Sequence, residues 1–346
     1  MNPIAIRLLN QQLISQQFSN PTEVVSHLGA MQAQDYRMMR WAVTLRTKLP
    51  SKEAFRKAYN GGEIIRMHLL RCTWQLITAQ DYGWMLELCA PKIISTLNGW
   101  MKSNKISIPE DELISVRTII EQTVGDNKNV TKEDITDSLV RHGVLMDDHR
   151  ISYHIRLAEI NGYLVSGNLH QSKATYCLSS NKIKTTNPIS RDEALALLTT
   201  KYFQSRSPAT LEDYVWWSGL NTSDCKKGIQ LLGNKLHAGS WNGREFYIMD
   251  NCRTKGFHKG CTNLLPPFDE YLIGYKSRDV VLAPEYRNHA HNNNGTFYPV
   301  VVKNGEICGN WNPYKSTLQT EMFEPDTKID LEKDWLEYQK QISTLF

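Results

Sequence analysis

The order helix, turn, helix, hairpin is written along this chain more than once, and few architectures accommodate its repetition. The middle copy is the clearest. "TKEDITDSLVRHG" reads as a capped helix that ends at Gly143. "DDHRISYHIRLAEINGYLVSG" follows, with Ile151, Ile155 and Ala158, joined by Leu157 and Ile160, as its buried face and a stop at Asn161-Gly162. Two short apolar runs, "YLVSG" and "ATYCLSS", then flank the polar turn "NLHQSK", a hairpin signal. Helix-turn-helix followed by a hairpin is the order of a winged helix.

The same order returns on either side. "SRDEALALLTTKYFQ", "SPATLEDYVWWSGL" and "TSDCKKGIQLLGNKL" lead into "HAGSWNGREFYIMD", whose Asn242-Gly243 is the strongest short hairpin turn in the chain. Trp216 and Trp217 in that unit are expected in its core. Near the start, "PTEVVSHLGAM", "DYRMMRWAVTLR" and "SKEAFRKAYNGG" precede the hairpin "EIIRMHLLRCTWQLIT". Copies separated by roughly 60 to 110 residues are a repeat of fold rather than of sequence. From residue 262 strand signals dominate: "NLLPPFDEYLIGY", "DVVLA", a loop "PEYRNHAHNNNG", and "TFYPVVVKNGEICGNW" around Asn304-Gly305, before a closing helix. The expected organisation is α+β: winged units at 1–80, 131–186 and 187–250, a helical spacer at 81–130, and a β-rich segment with a C-terminal helix at 251–346.

Composition narrows the function classes. The hydrophobic share of 41% and charged share of 22% are those of an ordinary soluble protein. No apolar run reaches the length of a membrane span, and "MNPIAIRLLNQQ" lacks a signal peptide's apolar core, so a cytoplasmic, nucleoid-associated protein is expected. The 7 cysteines include no CxxC pair and fit neither a disulfide framework nor a zinc module. His289 and His291 in "HAH" have only Glu285 as an adjacent ligand, so no metal site is expected. The net charge of +4 hides an asymmetry. Residues 1–80 carry ten Lys/Arg against four acids, residues 316–346 three against seven, and a basic first unit suits a polyanion.

"GAMQAQDY" at residues 29–36 places two glutamines one residue apart. The preceding helix has a written start, with Asn20 as cap, Pro21 in the first position and Glu23 reaching back. Inside a helix Gln32 and Gln34 would diverge by roughly 200°. In an extended link they share a side. The extended link is the expectation, with Asp35 as the N-cap of a second helix over "YRMMRWAVTLR"; two solvated loop glutamines remain the bland alternative.

"LGAMQAQDY", "IIRMHLLRCTWQLIT", "LLPPFDEYLIGY" and "FYPVVVKNGEICGNW" together resemble the winged-helix DNA glycosylases typified by AlkZ and YcaQ, over nearly the whole chain. The resemblance implies three tandem winged helices around a basic DNA channel. It implies a catalytic motif of Gln, an aliphatic residue and Gln, met here by Gln32-Ala33-Gln34 with a smaller central residue than usual. Gln32 and Gln34 are then the catalytic residues, one orienting water and the other contacting sugar or phosphate. Arg37, Arg40, Arg66, His68, Arg71, Arg287 and His289 are the expected DNA contacts. The implied reaction is excision of cationic N7-alkylated purines from double-stranded DNA by a monomer, without cofactor, metal or lyase step. Whether crosslinked bases are among the substrates stays open. A non-enzymatic winged-helix regulator is the alternative, and scaffolding for protein contacts is a third reading.

Overall fold

The computed structural model describes residues 2–184, 188–241 and 243–342. Helix α1 (Pro3–Asn10) precedes a set of elements that occurs three times. The first set is α2 (Pro21–Leu28), β1 (Met31–Gln32), α3 (Met39–Thr44), α4 (Lys52–Asn60) and the hairpin β2 (Ile64–His68) and β3 (Trp74–Thr78). After α5 (Ala79–Ser103) comes α6 (Glu110–Val124), β4 (Val130–Thr131), α7 (Lys132–Arg141), α8 (Asp148–Ile160), β5 (Leu164–Ser166) and β6 (Thr175–Leu178). The third set is α9 (Arg191–Arg206), α10 (Leu211–Ser218), α11 (Thr222–Leu232), β7 (Leu236–Trp241) and β8 (Arg244–Met249). In the first two sets the short strand pairs with the second hairpin strand, in the orders β1-β3-β2 and β4-β6-β5. In the third, a single bridge from Ala209 to Tyr247 on β8 takes that place. Asn242 lies outside the described residues, but Trp241 opposes Arg244 across that turn.

The caps explain where several of these helices start. Asn20 and Glu23 form the reciprocal capping box before α2, and Thr131 with Asp134, Ser190 with Glu193 and Thr210 with Asp213 do the same before α7, α9 and α10. Each box satisfies backbone donors that the first helical turn leaves without partners.

The expected spacer at 81–130 is divided. Helix α5 packs Trp84, Met85, Leu88 and Cys89 into a core shared with the third unit. Helix α6 gives Val116, Ile119, Ile120 and Val124 to the core of the second unit, beside Ile135, Leu139, Ile151 and Ile155. The polar stretch "EQTVGDNKNV" is the end of α6 and its turn, not a linker.

The C-terminal segment contains β9 (Thr262–Leu265), α12 (Glu270–Ile273), α13 (Arg287–Ala290), β10 (Val300–Lys303), β11 (Glu306–Trp311), β12 (Thr320–Met322) and α14 (Glu332–Ile342). Its sheet has the order β12-β11-β10-β9, with Asn304 and Gly305 at positive φ in the β10–β11 turn. "DVVLA" is not a strand. Val281 and Leu282 each donate to the carbonyl of Arg278 in a turn, and the β-branched side chains are buried for packing alone.

Candidate active site

Strand pairing decides which side chains meet. Gln32 lies opposite Gln75, and Met31 opposite Leu76. Across the hairpin Arg66 opposes Leu76, Met67 opposes Gln75 and His68 opposes Trp74. Opposed residues share a face of the sheet. Gln32, Gln75 and Met67 therefore occupy one face, and Met31, Leu76, Arg66, Trp74 and His68 the other. Ala33 donates its N–H to the Trp74 carbonyl at 2.8 Å and joins Met31 in the core beneath α2 and α4. Gln34 follows at a bend in the chain and is exposed.

The Gln32 side chain is locked. Its Oε1 accepts from Gln75 Nε2 at 2.8 Å, Thr73 Oγ1 at 3.1 Å and Arg71 Nη2 at 3.3 Å. Arg71 has only donors, so the atom it meets is the carbonyl oxygen and the amide nitrogen must point the other way. That nitrogen has no protein acceptor among the described residues. A carbonyl oxygen has two lone pairs, and these are already taken. The group Gln32 leaves unpaired by protein is therefore its N–H pair. Gln34, by contrast, has both amide atoms without a protein hydrogen bond among the described residues.

Glu270 holds the strand from behind. Its Oε1 accepts the Gln32 backbone N–H at 2.7 Å. Its Oε2 accepts from Arg206 at 2.6 Å and from Trp217 Nε1 at 3.2 Å, and the residue is 2% exposed. Asp269 forms a two-pronged buried pair with Arg46, at 2.7 and 2.9 Å. Sequence reading assigned no role to Glu270, Asp269, Arg46, Arg206, Gln75 or Thr73. A signal existed in "LLPPFDEYLIGY": two adjacent acids in an apolar run must be paired with cations if they are buried.

Of the other expected site residues, three are interior struts. Arg40 is buried and donates to the carbonyl of His170 at 2.6 Å, in the β5–β6 loop. Arg66 is buried, donates to the Ala33 carbonyl at 3.1 Å, and lies 3.7 Å from the Trp74 ring. His68 is buried against the Glu159 carboxylate. The pleat sends Arg66 and His68 away from Gln32. Arg71 follows a kink, at φ 56°, that turns it back to the Gln32 side. Burial pushes its guanidinium down to about 10. Arg37 is exposed, as are Arg287 and His289. Arg287 pairs with Asp279 at 2.6 Å, and His289 lies 5.2 Å from the Phe323 ring. Asp35 caps its own turn, accepting from the N–H groups of Arg37 and Met38 and from the Tyr314 hydroxyl. Trp217 is fully buried as expected, whereas Trp216 is only half-buried. No group of three or more metal-ligating side chains occurs among the described residues.

The AlkZ-like DNA glycosylase family model matches residues 25–332. The chain belongs to this family. An interstrand DNA cross-link repair glycosylase of Streptomyces sahachiroi is 26% identical over 343 residues, covering 94% of this chain and 90% of that protein. The solved structure of the Streptomyces sahachiroi DNA glycosylase AlkZ superposes with a TM-score of 0.76 at 22% identity, covering 99% of this chain and 96% of that one. No helix among the described residues of this AlkZ-like chain is long and apolar enough to cross a membrane.

Proposed function

We propose that this chain is a monofunctional DNA glycosylase that removes cationic N7-alkylated purines by attack of water at C1′. The observation that carries the reading is the state of the two amides: Gln32 is locked on β1 with its oxygen occupied and its N–H groups without a protein acceptor among the described residues, and Gln34, two residues on, is exposed. Such a pair can orient a water molecule but cannot take or give a proton near neutral pH. An N7-alkylated purine already carries positive charge, so the C1′–N9 bond can break with its electron pair neutralising the base. No general acid is then needed. The water donates a hydrogen bond to the Gln34 carbonyl, accepts one from the Gln32 amide, and directs a lone pair at C1′. The C1′–O bond forms, and a water proton passes to solvent. The product is an intact strand with an abasic site.

The nearby acids support a catalyst without a base. Both Glu270 oxygens and both Asp35 oxygens are occupied by protein donors. The protein acts as a monomer on double-stranded DNA in the cytoplasm, with Arg37 and Arg71 as phosphate contacts nearest the motif and Arg287 and His289 as outlying ones. The relative that repairs interstrand crosslinks makes bulky adducts part of the expected substrate range. The test compares duplexes carrying one N7-methylguanine or one uracil. The proposal expects release of N7-methylguanine and none of uracil; efficient uracil release would require a stronger catalyst than two amides and would overturn it.

A further inference from the structure

We propose that Arg71, Lys276 and Arg278 form, around the indole of Trp216, a binding site for one phosphodiester of the strand that carries the target nucleotide. The inference rests on the glycosylase reading for the identity of its ligand, and on geometry for its existence.

Three cations converge on one ring. The Arg71 and Arg278 guanidinium carbons lie 6.0 and 5.5 Å from the Trp216 ring centroid, and Lys276 Nζ lies 5.7 Å from it. Trp216 Nε1 donates to the Ile273 carbonyl at 3.0 Å, which fixes the ring plane. The Arg71 charge acts on Arg278, and an anion among the three would offset that repulsion. Among the described residues none of the three forms an ion pair. The nearby carboxylates are committed elsewhere. Asp213 accepts from the backbone N–H groups of Lys276, Ser277 and Thr210. Asp279 is held by Arg287 and Arg244, and Glu270 by Arg206.

A second observation points to a ligand. Arg278 donates Nε to the Leu272 carbonyl and Nη1 to the Lys276 carbonyl, both at 3.2 Å, while its Nη2 is buried with no partner. An unpaired buried donor of a charged group is costly, and a phosphate oxygen would satisfy it. Burial also pushes the Arg278 guanidinium down to about 10, as it does that of Arg71. In each case burial outweighs an opposing carboxylate charge, Asp213 for Arg278 and Glu270 for Arg71.

The backbone is shaped to keep Arg71 in place. Arg71 and Cys72 have φ of 56° and 57°, a left-handed pair that non-glycine residues rarely adopt. Gly219 at φ 70° lets the α10–α11 turn approach, where a Cβ would meet Arg71 atoms at 3.0 and 3.1 Å. Arg71 Nη1 bonds the Trp216 carbonyl at 3.2 Å while Nη2 reaches Gln32 at 3.3 Å. One guanidinium thus joins the cation cluster to the glutamine site. A phosphate held there belongs to the target nucleotide or its immediate neighbour, and fixes the sugar relative to Gln32.

The experiment uses duplexes with a tetrahydrofuran abasic analogue and a single neutral methylphosphonate placed at successive positions of the same strand. Binding is measured for the full-length parental chain, Arg278→Met and Lys276→Met. One position beside the analogue should weaken parental binding by about tenfold, the scale of one charge-assisted contact. At that position alone, neutralising the phosphate should weaken either variant by less than it weakens the parental chain. Variants that retain the parental positional profile, or that lose affinity equally at every position, would overturn the site. Lys276 is exposed and its ammonium makes no hydrogen bond among the described residues, so Lys276→Met decides the question if Arg278→Met does not fold. Because binding is the readout, a chain that shows the coupling yet excises nothing would retain the phosphate site and refute the glycosylase reading.

Discussion

Gln32 and Gln34 differ in what their surroundings leave them able to do. Gln32→Glu keeps an acceptor for Arg71, Thr73 and Gln75 but removes the outward N–H groups. It should fold with parental stability and lose excision by about 100-fold, the scale of one lost catalytic hydrogen bond donor. Gln34→Ala should slow excision on the same order without shifting duplex affinity, since no charge changes, whereas the Gln32→Glu carboxylate adds a negative charge beside Arg71 and should also weaken binding; single-turnover release at saturating enzyme and a binding titration check both. His27 gives a separate pH signature. Burial first, then Arg206, Lys201 and Arg253, push its imidazole from 6.5 down to about 4, against the opposing contact with the Asn10 carbonyl. The unfolded chain therefore binds the extra proton first. Stability should be intact above pH 6.5 and should fall as pH drops from 6.5 towards 4. Thermal melts across that range should show the loss, and His27→Gln should shrink it. The extended backbone at Gln32 was legible in the sequence, because the capped helix before it stops at Gly29. Its braces were not legible: Glu270 is remote in the chain, and nothing local says which strand a buried acid will support.

Elements were readable where termini and turns are chemical. Asn20 with Glu23 and the Asn304-Gly305 turn announce a helix start and a hairpin through hydrogen bonds and φ preferences that neighbours cannot change. "DVVLA" misled because a β-branched run fits any buried extended or turning segment, and only the missing ladder partner tells them apart. Arg66, His68 and Arg71 do not share a face: alternation puts Arg66 and His68 on one, and the positive-φ turn brings Arg71 to the other. The joint between β1 and α12 carries a prediction of its own. Glu270→Ala leaves Arg206, which is 0% exposed, without a counter-charge and frees the Gln32 backbone N–H. It should destabilise the fold by about 3 kcal/mol or more, read as a shift in denaturation midpoint. Glu270→Gln should be milder in stability while still loosening Gln32 and lowering excision.

At the scale of the molecule, the first and third copies of the connectivity are braced against the C-terminal segment by buried pairs, Arg46 with Asp269 and Arg206 with Glu270, and the first against the second by His68 with Glu159. That leaves one rigid support for the amide face. DNA affinity should fall steeply with salt, on a slope set by several phosphate contacts, and should be nearly indifferent to sequence. A footprint at one palindromic site that survives high salt would favour a regulator instead. Lys276, in the cluster beside Arg71, is the lysine to watch for a Schiff base; borohydride during turnover should trap no covalent complex, because the nucleophile is water. The most direct test of the central claim is single-turnover release of N7-methylguanine by the parental chain and by the Gln32→Ala, Gln34→Ala double variant. The account predicts release by the parental chain and a rate for the variant near that of uncatalysed depurination, at unchanged duplex affinity. Release by the double variant at the parental rate would contradict it.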